Sequence, residues 1–346
     1  MTYNTNTKIL KNNNRDIGFA AQSLKDGKTV VFPTETVYGL GAHALDTNAV
    51  EKIFKAKGRP ADNPLIIHVP CINWLRKLAV NIPKCADKLG HNFWPGPLTL
   101  ILLANKETVP STVRGGLETV AIRIPSHSIA RRILEEADIP IAAPSANRSG
   151  RPSPTSFHHA YKDLNGRVDC IVDGGRTDMG LESTVLDLTS PKPVILRPGL
   201  ITQKQIKSVV DAEGHKEYVG GKVLSPGTKY KHYSPRAPMT LFVGEYSNVV
   251  KVLQNKVKQE KNIGKKIGVL AFEEYTHHFR NVDKLISMGS LNSTLDIAAG
   301  LYKNLHDMDY SDVDVILAMG LGGKDDLSYA VMNRLLKACG HNIVQV

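Results

Sequence analysis

Leu45-Asp-Thr-Asn-Ala-Val-Glu-Lys-Ile-Phe-Lys55-Ala-Lys57-Gly58-Arg59-Pro60-Ala-Asp-Asn63-Pro64-Leu-Ile-Ile-His68-Val69 runs a helix, a polar turn and a strand together without a break. Val50, Ile53 and Phe54 share a face at helical spacing, and Leu65–Val69 reads as a buried strand. Between them lie three cations, an amide and an imidazole, a set suited to an anionic ligand such as a nucleotide phosphate. Lys57 and Arg59 stand two apart, so an extended segment would aim both at one side. Arg59 offers a planar fork for phosphate and Lys57 a compact charge. Cations at a helix C-terminus are stabilising in any case, and that explanation suits Lys55. Arg59 and Asn63, held between Pro60 and Pro64, point to function instead.

The alternation continues outward in both directions. Asp16–Leu24 reads as a helix and Thr29–Phe32 as a short strand ending at Pro33. Further strands are expected at Leu98–Leu103, Val120–Ile124, Ile139–Ala143, Cys170–Val172 and Thr184–Leu188, with helices at Ala86–Phe93 and Ser128–Ala137. The mixture predicts an α/β fold around one large mixed sheet. Residues 213–238 are rich in Gly, Pro and polar groups and read as a connection. A plain linker has little need of Tyr230-Lys-His232-Tyr233-Ser234, which is expected to cross a site. From 239 a second alternation begins. Met239–Val243, Lys266–Phe272 and Val313–Met319 read as strands. Ser247–Val257, Ser293–His306 and a segment through Asn333–Lys337 read as helices. This predicts a smaller, Rossmann-like α/β domain. Its Gly320-Leu-Gly-Gly323 turn is explained as well by tight packing as by a nucleotide, and no catalysis is expected there.

The chain has 346 residues, long for one domain and comfortable for two. Hydrophobic (42%) and charged (22%) contents are those of a soluble globular protein. No apolar run approaches the roughly 18 residues of a membrane span, and the polar N-terminus lacks a signal-peptide pattern. Cys71, Cys85, Cys170 and Cys339 are scattered, without a disulfide or metal-site pattern; reduced, mostly buried thiols in a cytoplasmic protein are expected. The net charge of +11 lies entirely before residue 239: residues 239–346 hold 12 cationic and 12 acidic side chains. The excess fits a nucleotide or nucleic-acid ligand, and equally a merely soluble basic surface. An RNA-binding protein acting in translation or ribosome assembly is the alternative. Against it stand an aromatic content of 6% and the lack of an aromatic-interleaved strand.

No GxxxxGK[ST] loop, GxSxG elbow, HExxH pair or CxxC is present, so a phosphate site must come from side chains and irregular loops. Pro144-Ser145-Ala-Asn147-Arg148-Ser-Gly150-Arg151, followed by Ser153, supplies hydroxyl, amide and guanidinium groups after a strand. By itself it is also an ordinary surface loop. In Pro33-Thr-Glu35-Thr36-Val-Tyr38-Gly39, Thr36 and Tyr38 suit a small ligand. Glu35 suits an ion pair with Arg59 or Arg123 better than general-base work. Arg123 interrupts an apolar run and needs a partner, either a bound carboxylate or an internal acid. His68 ends a buried strand, where a lone histidine is usually a core residue; Ser183 and Arg197 stand at further strand ends.

Several motifs now stand in order: Pro33-Thr-Glu-Thr-Val-Tyr-Gly-Leu-Gly41, Lys57-Gly-Arg59 with Asn63-Pro-Leu, Trp94-Pro-Gly-Pro-Leu-Thr-Leu100, Ala121-Ile-Arg-Ile-Pro125 and Ala143-Pro-Ser-Ala-Asn-Arg-Ser-Gly150. Ser183-Thr-Val, Leu196-Arg-Pro-Gly199 and Ser225-Pro-Gly-Thr-Lys-Tyr-Lys-His-Tyr233 follow. Together they resemble the Sua5/YrdC/YciO family of threonylcarbamoyl-AMP synthases, in its longer two-domain Sua5 form, from about residue 10 onward. The carbamoyl-phosphate-using hydrogenase-maturation relatives fit less well, because their paired CxxC motifs are missing.

The resemblance implies a YrdC-like catalytic domain over 1–212 around a large twisted mixed sheet, a linker crossing the site over 213–238, and a Sua5-type C-terminal domain over 239–346. It implies that L-threonine, bicarbonate and ATP, with Mg2+ on the triphosphate, give threonylcarbamoyl-AMP and pyrophosphate. A threonylcarbamoyl transferase (TsaD/Kae1-type) would then modify adenosine 37 of tRNAs reading ANN codons. No protein-held metal and no membrane are implied. Thr36, His68, Arg123, Ala143 and Ser183 would line the threonine site. Arg59, Asn63, Thr119, Ser145, Asn147, Ser153, Arg197 and Tyr233 would hold ATP, with Lys57 and Arg59 as the catalytic cations. The linker would act as a lid excluding water from a labile carbamate.

Overall fold

The structure is a computed structural model that describes residues 6–215, 233–323 and 325–346. The chain divides into two units. The first holds residues 1–149, 153–178 and 182–229; the second holds 150–152, 179–181 and 230–346.

In the first unit, β1 (Lys8–Leu10), β2 (Val30–Pro33), β3 (Tyr38–His43), β4 (Ile66–His68), β5 (Leu98–Leu103), β6 (Thr119–Arg123), β7 (Ile141–Ala142), β8 (Cys170–Val172), β9 (Thr184–Asp187), β10 (Val194–Arg197) and β11 (Glu213–His215) form one sheet. Its order is β1-β8-β2-β3-β7-β4-β6-β5-β9-β10-β11. Parallel and antiparallel neighbours mix, as in β4 parallel to β6 but β5 antiparallel to it. The helices are α1 (Asn14–Lys25), α2 (Thr47–Lys57), α3 (Leu75–Leu78), α4 (Lys84–Phe93), α5 (Ser111–Arg114), α6 (Ser128–Ala137), α7 (Phe157–Leu164) and α8 (Gln203–Lys207).

Side chains alternate across a strand, and this sheet uses both faces. Val31, Ile67, Leu98, Leu100, Ile122 and Leu186 join a core with Val50 and Ile53 of α2 and Leu89 of α4. Val30, Phe32 and Ile141 face the other way, against Ile17 of α1 and Ile133 of α6. Further along that second face, Ile66, Ile101, Ala121 and Val185 form a small cluster that contains no helical residue. By the same alternation His68, Thr99, Arg123 and Ser183 belong on this face, which α1 and α6 leave free for polar groups.

Sequence and structure differ at a few points. Asp46 caps α2 by accepting from the Asn48 and Ala49 N–H groups, and Gly58 ends it in the left-handed conformation (φ 63°). Lys57 is therefore the last helical residue, and Lys57 and Arg59 do not share an extended segment as their spacing suggests. Strand β3 is hidden in the sequence by glycines. A Cβ on Gly41 would come within 2.6 Å of Phe32 and 2.8 Å of Ile141, so neighbouring side chains fill the place of its own. Cys170 and Cys339 are buried, but Cys71 is exposed and Cys85 half-buried, so burial of the thiols is less general than expected; all four are free.

The second unit is built on β12 (Met239–Val243), β13 (Ile267–Ala271), β14 (Lys284–Ser287), β15 (Val315–Met319) and β16 (Ile343–Gln345), in the order β14-β13-β15-β12-β16 and parallel throughout. Helices α9 (Tyr246–Asn262), α10 (Thr294–Asp309) and α11 (Asp326–Ala338) connect its strands. The Gly322 N–H donates to Tyr246 Oη at 2.8 Å, and a Cβ on Gly323 would sit 2.4 Å from Ser328 Oγ. The glycine turn is thus committed to packing. Tyr230, Lys231 and His232 lie outside the described residues. Tyr233 is buried in the second unit, its ring 5.2 Å from that of Tyr302.

Candidate active site

Arg123 ends β6 on the helix-free face, 3% exposed. Burying a guanidinium demands partners. Its Nη2 pairs with Glu35 Oε1 at 2.6 Å, Nη1 donates to Thr36 Oγ1 at 3.0 Å, and Nε donates to the Gly96 carbonyl at 3.3 Å. Of the two cations considered for Glu35, Arg123 is the one it pairs with. Thr36 lies 2.8 Å from Thr34 Oγ1, which itself donates to the Val37 carbonyl. His68 pairs with Arg123 in the β4–β6 register. Burial, reinforced by the Arg123 charge, pushes its pKa down to about 3, so the imidazole is neutral near pH 7. Its Nδ1 is buried with no hydrogen-bond partner among the described residues.

Ser183 immediately precedes β9. Arg197 donates from Nη2 to Ser183 Oγ and from Nε to the Ser183 carbonyl, both at 3.0 Å, while Thr99 Oγ1 lies 2.7 Å from Ser183 Oγ. Beside them Ser153, fully buried, donates to Glu182 Oε1 at 2.7 Å.

The third group joins α2 to the loop after β7. Lys57 is 4% exposed and donates from Nζ to the carbonyls of Ser145 and Asn147, the latter at 2.6 Å. Burial, then the nearby Arg59 charge, pushes its pKa well below the usual lysine value, against an opposing pull from Asp163. Ser145 Oγ donates to Asn147 Oδ1 at 2.5 Å, and the Arg148 N–H donates to Asp163 at 3.1 Å. Arg59 is half-buried and donates to the Pro64 carbonyl at 3.2 Å. Asn63 is buried with Oδ1 lacking a hydrogen-bond partner, whereas Lys55 is exposed. Ala143 donates its N–H to the Ile66 carbonyl at 2.9 Å. Thr119, half-buried at the start of β6, lines a recess with Pro64, Leu65 and Ala121.

The structure therefore links Thr36 to Arg123, Ser183 to Arg197, and Lys57 to Ser145 and Asn147. Tyr233 belongs to the second unit. Thr99, Glu182 and Asp163, partners in these networks, carry no role in the sequence reading. A signal existed for Thr99, the single polar residue in the apolar run Leu98–Leu103. Among the described residues no group of three His, Cys, Asp or Glu side chains stands where it could hold a metal ion. No described helix is long and apolar enough to cross a membrane.

A mixed sheet that gathers cations, hydroxyls and a neutral imidazole on its helix-free face, with a smaller parallel-sheet unit, defines a YrdC-like α/β enzyme of nucleotidyltransferase type. Residues 22–199 match the family described as "Telomere recombination", which covers the Sua5, YciO and YrdC proteins. Residues 201–340 match the family described as the C-terminal domain of threonylcarbamoyl-AMP synthase. The threonylcarbamoyl-AMP synthase of Pyrococcus abyssi is 48% identical over 334 residues, covering 95% of this chain and 96% of that protein. Its counterpart in Bacillus subtilis is 43% identical over 343 residues, covering 98% and 97%. The crystal structure of P. abyssi Sua5 complexed with L-threonine superposes with a TM-score of 0.91 at 45% identity, covering 98% of this chain and 99% of that one. The chain belongs to the Sua5 family of threonylcarbamoyl-AMP synthases. The RNA-binding alternative is not favoured, since relatives carrying the synthase name span the whole chain.

Proposed function

We propose that this chain condenses L-threonine, bicarbonate and ATP into threonylcarbamoyl-AMP and pyrophosphate, for a threonylcarbamoyl transferase that modifies adenosine 37 of tRNAs reading ANN codons. The observation that carries the reading is the polar cluster on the part of the sheet face that α1 and α6 leave free: Arg123 at the end of β6 with Thr36, and Arg197 at the end of β10 with Ser183 beside β9. In this reading residues 1–212 are the catalytic domain, 213–238 the connection, whose first residues Glu213–His215 still pair with β10 as strand β11, and 239–346 the C-terminal domain.

Threonine's amine adds to CO2 with loss of a proton, or to bicarbonate with loss of water, and the resulting carbamate oxygen attacks the α-phosphorus while pyrophosphate leaves. No enzyme nucleophile is required. The work is alignment, charge neutralisation and exclusion of water. Arg123, Thr36, His68, Ala143 and Ser183 bind threonine, with Arg123 on its carboxylate. A neutral His68 beside that guanidinium accepts or donates a hydrogen bond without adding charge. Arg59, Asn63, Thr119, Ser145, Asn147, Ser153, Arg197 and Tyr233 hold ATP. The orphaned Asn63 Oδ1 offers an acceptor to the nucleotide. Arg59 and Arg197 offset triphosphate charge together with Mg2+ carried in on ATP. Lys57 acts from behind the Ser145–Asn147 loop, since both carbonyls already take its amine protons. Arg59→Ala should largely abolish threonine- and bicarbonate-dependent pyrophosphate release with an unchanged melting temperature. Undiminished turnover in that variant would reject the assignment.

A further inference from the structure

Thr99 lies on β5 beside β9, in register with Val185, and is completely buried. Among the described residues its hydroxyl has one hydrogen-bond partner, Ser183 Oγ at 2.7 Å. Ser183, also completely buried, has two partners: Thr99, and Arg197 Nη2 at 3.0 Å. Arg197 can only donate, so Ser183 accepts from it. Which of the two hydroxyl protons lies in the bond between them remains to be assigned. Were Ser183 the donor, the Thr99 proton would point into the protein interior with no acceptor, which is the costly outcome for a buried hydroxyl. Without a substrate either direction strands one of the two buried protons; with a substrate oxygen at Ser183, only Thr99 donating satisfies both. Ser183 then accepts twice and gives its own proton to that oxygen.

We propose that Thr99 is a positioning residue that fixes Ser183 as a hydrogen-bond donor towards an anionic or carbonyl oxygen of the substrate. The inference rests on the reading that Ser183 lines the threonine site. It assigns a task to the single polar residue inside the apolar strand Leu98–Leu103. It also gives Arg197 a second duty, since its Nη2 occupies the lone pair that would otherwise let Ser183 turn round.

The test is a double-mutant cycle on the intact chain, with the KM for threonine and kcat read from pyrophosphate release. Ser183→Ala should raise the threonine KM. Thr99→Val should raise it roughly three- to tenfold with little change in kcat, and Thr99→Ser should restore it. In the Ser183→Ala background Thr99→Val should have no further effect, because nothing remains to orient. A Thr99→Val effect of equal size in both backgrounds means that Thr99 only packs the strand, and overturns the proposal, as does no effect in either. If Ser183→Ala leaves the threonine KM unchanged, Ser183 is not in the threonine site and both readings fall. Thermal melts identify a variant that fails to fold, and the Thr99→Ser result then decides: loss of threonine affinity with the hydroxyl retained overturns the proposal.

Discussion

Lys57, the last residue of α2, donates from Nζ to the backbone carbonyl of Asn147 at 2.6 Å, tying a helix end to a loop 90 residues away. The same amine reaches the Ser145 carbonyl, and the Ser149 N–H returns a bond to the Lys57 carbonyl at 2.9 Å. Lys57→Met keeps an unbranched side chain one atom shorter but removes the amine and releases the loop. A displacement of about 1 Å in a positioning loop costs on the order of a hundredfold in rate, and that is the expected fall in kcat/KM for ATP. Lys57→Arg should not rescue it, since a planar fork does not replace a compact amine between two carbonyls. Steady-state pyrophosphate release at varied ATP checks both.

Glu35 and Arg123 form an ion pair with side chains 3% and 4% exposed. Glu35→Gln would leave a buried guanidinium without its counter-charge, at an expected cost of about 3–5 kcal/mol in unfolding free energy. Adding Arg123→Met removes the stranded charge, so the double variant should be more stable than Glu35→Gln alone. Denaturant unfolding of the three proteins measures the order.

His68 is neutral in the folded protein down to about pH 3, whereas an exposed histidine takes up its proton near pH 6.5. Between those values the unfolded chain binds one more proton than the folded one. Stability therefore rises with pH across the window and is lost on acidification below about 6.5. From pH 7 to pH 5 the wild type should lose about 2 kcal/mol more than His68→Gln does. Unfolding curves at pH 7, 6 and 5 would show parallel losses if this histidine were not the cause.

Gly199 lies against the segment that carries Ser183. A Cβ there would stand 2.6 Å from the Thr184 nitrogen and 2.7 Å from the Glu182 carbonyl oxygen, backbone atoms that cannot turn aside. Gly199→Ala should cost about 1–3 kcal/mol as overpacking and raise the threonine KM by moving Ser183. Thermal melting and threonine-dependent kinetics separate the two effects.

The elements most legible in the sequence are those whose neighbours repeat their own pattern. Leu98–Leu103 and Thr184–Asp187 are apolar, β-rich and buried, and the sequence marks both. Lys284–Ser287 is only partly buried, so β14 lacks an apolar signature. Tyr38–His43 carries two glycines that argue against a strand, yet Gly41 is required there because Phe32 and Ile141 close over it. Among the site residues, the motifs name Arg123, Ser183 and Arg197, but not which acid neutralises Arg123 or which hydroxyl faces Ser183. Glu35 is 88 residues from Arg123, and Thr99 is 84 from Ser183.

The sequence alone determined the family, the two α/β alternations, the candidate residues proposed for the site and the excess of positive charge before residue 239, because each is written in local pattern or motif. Tertiary structure decided what those residues face. Strand order brings β4, β6, β5 and β9 side by side, and side-chain alternation then directs His68, Arg123, Thr99 and Ser183 to a single face. Helix α2 carries Lys57 up to the left-handed Gly58, and from that helix end its amine reaches the Ser145 and Asn147 carbonyls. Burial, a property of the packed chain, then sets the proton on His68 and depresses that on Lys57.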